Sequence, residues 1–190
     1  MMITRYLQHL CLASAALLGA TCISNSANAQ SFTLTSSTFK DGKMLRAKNA
    51  GNSNPNCTGQ NVSPPLAWKN VPEGTKSFAI LVYDPDGKQG LGVVHWIAYG
   101  IPASVTSFAE GEVSAQSSKF VGGKSTSQLP TYSGPCPPPK TGLHHYTFTL
   151  IATDLEPTEL KPGMTRDELF AALNGHAKGG ASIVGLWGKP

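Results

Sequence analysis

Apolar residues along the chain fall into short blocks separated by Gly, Pro, Asn and Asp, and the spacing inside each block indicates what it forms. Phe32 to Phe39 alternates with Ser and Thr and predicts a strand. Phe78 to Tyr83 is a continuous apolar run stopped by Asp84-Pro85-Asp86-Gly87, the pattern of a buried strand entering a tight turn. Val93 to Ile101 predicts another strand, stopped by Pro102. His144 to Ala152 alternates, with His144, Tyr146, Phe148 and Leu150 on one face and His145, Thr147, Thr149 and Ile151 on the other. One helix is signalled: Thr165 and Glu168 form a capping box, Leu169, Phe170 and Leu173 supply the apolar face, and Asn174-Gly175 the stop. Ala181 to Trp187 predicts a last strand. Short strands, Gly/Pro turns and a late helix imply a mainly β protein, an antiparallel sandwich with one or two short peripheral helices.

Composition narrows the class. A chain of 190 residues, 40% hydrophobic and 14% charged, fits one domain and is too apolar for disorder. Its 20 Gly and 14 Pro follow no fixed period, which excludes collagen and disfavours a long-helix bundle. The net charge of +4 is scattered, with no run of five like charges, so nucleic acid and an anionic membrane are set aside as partners. Residues 1–29 read as a cleaved signal peptide. Arg5 gives a positive n-region, Leu10 to Ile23 is apolar but too short to span a bilayer, and Ala27-Asn28-Ala29 is an A-x-A cleavage site. Thr21 before Cys22 is a poor fit to a lipoprotein site, so cleavage is expected after Ala29, leaving residues 30–190 as one domain exported to the periplasm or secreted. Only Cys57 and Cys136 then remain. An oxidising compartment would favour their pairing, closing a loop of about 80 residues with about 4 kcal/mol of chain-entropy stabilisation; the alternative is two buried thiols that never meet.

The polar groups beside the strands carry the chemistry. Taken alone, Asp84 and Asp86 suit a structural Asp-Pro-Asp turn, and His95 beside Trp96 suits a hydrogen-bonded core histidine. Tyr132 to Gly142 is a stiff Pro-rich loop that could wall a pocket, and only one of His144 and His145 can face it. The combination changes the reading. Asp84-Pro85-Asp86, His95-Trp96, Tyr132-x-Gly134-Pro135-Cys136-Pro137-Pro138 and Gly142-Leu143-His144-His145-Tyr146-x-Phe148 occur in order over about 65 residues. With Asn61-Val62-Ser63-Pro64-Pro65-Leu66-x-Trp68, Pro72-Glu73-Gly74-Thr75-Lys76-Ser77 and the tail at Gly175-His176 and Ile183-Val184-Gly185, this resembles the phosphatidylethanolamine-binding protein family, in its bacterial Raf kinase inhibitor-like branch.

The resemblance implies a two-sheet antiparallel β-sandwich with a shallow cavity for small anions such as phosphate, a phospholipid headgroup or acetate. Carried over by position, Asp84, Asp86, His95, Tyr132, Gly134, Pro135, Pro137, His144 and Tyr146 line it. It also favours the Cys57–Cys136 pairing and the homodimers common among bacterial relatives. His95 and His144 would donate N–H bonds to an anion, more strongly once protonated near pH 6.5, with Asp84 orienting a histidine or accepting from an ammonium. No metal or cofactor is needed. Relatives commonly continue Asp-Pro-Asp with Ala-Pro, whereas Gly87-Lys88-Gln89-Gly90-Leu91-Gly92 follows here, implying a more flexible rim that carries a lysine. His145 is expected to face away. The implied function is an exported binder that regulates or inhibits a protein partner and is not an enzyme; the kinase-inhibitor label is a family name. A hydrolase using the His/Asp cluster, with or without metal, is one alternative, though no H-E-x-x-H, C-x-x-C or G-x-S-x-G element supports it. An interaction protein with a vestigial pocket is the other.

Overall fold

The computed structural model describes residues 30–189; the expected leader at 1–29 lies outside them. Among these residues, nine strands form two sheets, and one α-helix packs outside the larger sheet. The strands are β1 (Thr33–Thr35), β2 (Lys43–Met44), β3 (Leu66–Lys69), β4 (Ser77–Asp84), β5 (Val93–Pro102), β6 (Ser107–Phe108), β7 (Val121–Gly122), β8 (His144–Thr153) and β9 (Ala177–Trp187), and the helix is α1 (Arg166–Leu173). The small sheet runs β1-β3-β6 and the large one β2-β9-β8-β4-β5-β7. All pairs are antiparallel except the two-residue contact of β2 with Gly185-Leu186 of β9, which is parallel.

The unbroken apolar run of β4 has a direct cause. The strand lies between β5 and β8, and both of its faces are covered. Phe78, Ile80 and Val82 point into the core between the sheets, against Phe148 and Leu150 of β8 and Trp68 and Phe108 of the small sheet. Ala79 and Leu81 point the other way, into a second core closed by Leu169 and Leu173 of α1. The helix begins as its sequence predicts: Glu168 N–H donates to the Thr165 hydroxyl oxygen, and the Thr165 N–H to the Glu168 carboxylate.

Two elements differ from expectation. The alternation at Phe32 to Phe39 yields only Thr33–Thr35, because the Thr38 N–H bonds to the Ser36 hydroxyl and turns the chain away from the sheet. The last strand starts at Ala177, four residues earlier than its apolar pattern, since Ala177, Gly179 and Gly180 pair with β8 around a bulge at Lys178 without adding a large apolar side chain. Cys57 and Cys136 are joined in a disulfide.

Candidate functional site

One end of the large sheet gathers the polar groups. Asp84 ends β4, His95 lies near the start of β5, and His144 and Tyr146 open β8, the strand paired with β4 on the other side. Alternation continues the inward series Phe78, Ile80, Val82 to Asp84, and puts His144 and Tyr146 on the face that carries Phe148. His95 arrives there by a different route. The β4–β5 register steps from Val82↔Trp96 to Tyr83↔Val94, so His95 is the extra residue of a β-bulge. Simple alternation would send His95 and Trp96 to opposite faces. The bulge instead sets the His95 ring edge-on to Tyr146, with centroids 5.1 Å apart, while Trp96 still enters the core between the sheets.

Each polar group is then fixed by named partners. Asp84, 2% exposed, accepts at Oδ1 from the backbone N–H groups of Asp86 and Gly87 (2.9 and 3.0 Å) and at Oδ2 from His144 Nδ1 (2.8 Å). The second nitrogen of His144, Nε2, lies 3.0 Å from Thr141 Oγ1, whose hydroxyl donates to the Pro138 carbonyl at 2.8 Å. His95 donates from Nδ1 to the Ser133 carbonyl at 2.8 Å, and the Ser133 N–H returns a bond to the His95 carbonyl. Burial pushes the His95 ring below its ordinary pKa and keeps it neutral, so the charge-assisted donation expected near pH 6.5 does not apply to it. The Tyr146 hydroxyl has no hydrogen-bond partner among the described residues, although the side chain is 1% exposed. Burial first, and then the Asp84 charge, raises its pKa, so it remains an O–H donor.

These side chains form one wall of a cavity of about 410 Å³. Ser133, Gly134 and Cys136–Pro138 of the Pro-rich loop form a second wall, and the exposed Lys88 and Gln89 form the rim beside the buried Gly87. The second wall is held from behind. The Tyr132 hydroxyl donates to Asn49 O, the Gly51 N–H to Pro135 O and the Gly134 N–H to Asn61 Oδ1, and the disulfide ties the same two loops. A glycine is required at 134, where a Cβ would stand 2.2 Å from Asn49 O. Of the residues singled out in the sequence, Asp84, His95, Gly134, Pro137, His144 and Tyr146 line this cavity. Asp86 lines an adjoining hollow, with its Oδ2 accepting from His145 on the outer face at 2.9 Å, which holds its carboxyl below the ordinary range. Tyr132 and Pro135 stand behind the wall as struts. Ser133 was not singled out, because its part is played by a backbone carbonyl that no side-chain pattern reports.

The family model for phosphatidylethanolamine-binding protein matches residues 35–188. The chain belongs to the phosphatidylethanolamine-binding protein family. Among curated members, the UPF0098 protein YbcL of Escherichia coli is 39% identical over 138 residues, 70% of this chain and 75% of its own. A Mycobacterium tuberculosis relative named as a lipoprotein, LppC, is 38% identical over 161 residues, 84% of this chain and 73% of its own. The crystal structure of Escherichia coli YbcL, described as a new member of the mammalian family, superposes with a TM-score of 0.76 at 32% identity, covering 84% of this chain and 99% of that one. A homologue from Chlamydia trachomatis, CT736, gives a TM-score of 0.72 at 31% identity, covering 84% and 98%. Within this phosphatidylethanolamine-binding family fold, the rim loop of this chain has a left-handed backbone. Lys88 and Gln89 are consecutive non-glycine residues at φ 49° and 54°, a left-handed pair that the flanking glycines at 87, 90 and 92 accommodate.

Proposed function

We propose that this protein is an exported binder of small anions, phosphate or a phosphate-bearing headgroup, held in the cavity between β4, β5, β8 and the Pro-rich loop, and that it acts on a protein partner. One observation carries the binding reading. The Tyr146 side chain lines the cavity, and its buried hydroxyl makes no short hydrogen bond among the described residues, with the Asp84 carboxylate as its polar neighbour, so a small movement of the hydroxyl would serve a bound oxyanion. Lys88 on the rim makes no ion pair among the described residues and supplies a positive charge beside the opening. Binding without turnover fits the way the imidazoles are used, since His144 has both nitrogens engaged by protein groups and His95 one. Export is supported by the leader-like residues 1–29, the disulfide and a relative named as a lipoprotein.

The test is an NMR titration of residues 30–190 with phosphate and phosphoethanolamine at pH 6 and 7.5, in wild type and Tyr146→Phe. Saturable shifts at Gly134 and the His95 ring, weakened about tenfold in the variant, are expected. An absence of saturable shifts in the wild type would overturn the reading and favour an interaction protein that uses another surface.

A further inference from the structure

The fixed hydrogen bonds of the cavity determine what its occupant must bring. His95 Nδ1 lies 2.8 Å from the Ser133 carbonyl oxygen, a distance that two acceptors would not share, so Nδ1 carries the ring proton. The ring is buried and neutral, so Nε2, which has no protein partner among the described residues, offers only a lone pair. The neighbouring groups do not change this. Asp84 accepts at both oxygens, and both nitrogens of His144 are engaged. Tyr146 keeps one O–H, buried beside the Asp84 carboxylate at the inner end of the cavity, and Lys88 stands on the rim. The inner wall therefore presents a donor at Tyr146 and an acceptor at His95, with the Asp84 carboxylate close behind. An oxyanion without a proton would set its own lone pairs against Nε2. One that still bears a proton would turn the same contact into a hydrogen bond while accepting from Tyr146.

Resting on the anion-binding reading, we propose that the cavity selects a proton-bearing oxyanion, hydrogen phosphate or a phosphate monoester in its protonated form, over oxyanions of equal charge that bear none. His95 Nε2 is the group that reads the proton, and it does so as an acceptor. The lining thus favours a free phosphate or monoester over the phosphodiester of an intact phospholipid, whose phosphorus carries no ionisable O–H.

Calorimetric titration at pH 8 and constant ionic strength separates the cases, because phosphate is then mostly HPO₄²⁻ and matches sulfate in charge while keeping one proton. Wild-type protein should bind phosphate at least about tenfold more tightly than sulfate, the cost of one acceptor left facing an acceptor. Glycerophosphoethanolamine, a diester, should bind no better than sulfate. His95→Gln, whose amide can turn a donor toward the cavity, should bring phosphate and sulfate to within about twofold of each other. Tyr146→Phe should weaken both and leave their ratio unchanged, which guards against a folding defect at position 95. Equal binding of phosphate and sulfate by the wild type overturns proton selection while leaving anion binding in place. Diester binding equal to that of phosphate overturns it too, and assigns the donor to the ethanolamine ammonium and the source to a lipid headgroup. Failure of the wild type to bind any of the three overturns the anion-binding reading itself.

Discussion

Asp84 shows how a single residue organises the site. Its carboxylate accepts two backbone N–H bonds from its own turn and one from His144, so the ordinary Asp-Pro-Asp turn and the cavity wall share one side chain. Asp84→Ala is expected to destabilise the protein by about 3 kcal/mol in urea denaturation, because it leaves two amides and a buried imidazole without an acceptor. His144→Ala should weaken phosphate binding about tenfold, since the Asp84 Oδ2 would face the anion uncompensated, whereas His145→Ala, on the exposed outer face with Asp86, should leave affinity within about twofold. Equal effects of the two substitutions on affinity would contradict this assignment. His95 sets a pH dependence. Burial depresses its folded pKa below the unfolded value of about 6.5, so between the two values the unfolded chain binds more protons than the folded one. Stability from this group is complete above about pH 6.5 and falls as the pH drops toward the folded pKa. Thermal melts from pH 7.5 to 5 should show His95→Gln losing less stability on acidification than the wild type.

At the scale of elements, what the sequence made legible follows from how each strand is buried. The run Phe78 to Tyr83 was readable because β4 is covered on both faces, and the alternation from His144 was readable because one face of β8 meets the core and the other is polar. That alternation separates His144, which is buried, from His145, which is exposed. The orientation of His95 was not readable, because a bulge breaks the period of two at that residue and no local residue type announces it. The two-residue strands β2, β6 and β7 are too short to impose a period, and the parallel contact of β2 with β9 depends on tertiary placement alone. Tyr132 carried a motif match, yet its hydroxyl is directed at Asn49, which is distant in sequence and invisible to spacing. The contact between these loops makes its own prediction. Gly134→Ala would drive a Cβ into Asn49 O, and is expected to cost about 2 kcal/mol or more and to broaden the Ser133 and Gly51 amide signals in NMR spectra.

In the whole molecule, the site stands where the rigid large sheet meets two loops that lack regular structure and are fastened to each other. The Cys57–Cys136 disulfide is part of that fastening, and Cys136 also lines the cavity. Replacing both cysteines by serine should lower stability by about 2–5 kcal/mol and weaken phosphate binding, and alkylation of the unreduced wild type should detect no free thiol at either position. The resulting division of labour is a sheet that fixes Asp84, His95, His144 and Tyr146, and a stapled loop wall that closes a cavity over them. In the proposed complex an anion occupies this cavity against Tyr146 and His95. A crystal structure of residues 30–190 grown with phosphate tests this most directly. A phosphate oxygen is expected within hydrogen-bonding distance of Tyr146 Oη and another facing His95 Nε2; phosphate found only at Lys88 on the rim, with the inner wall unchanged, would rule out binding in the cavity.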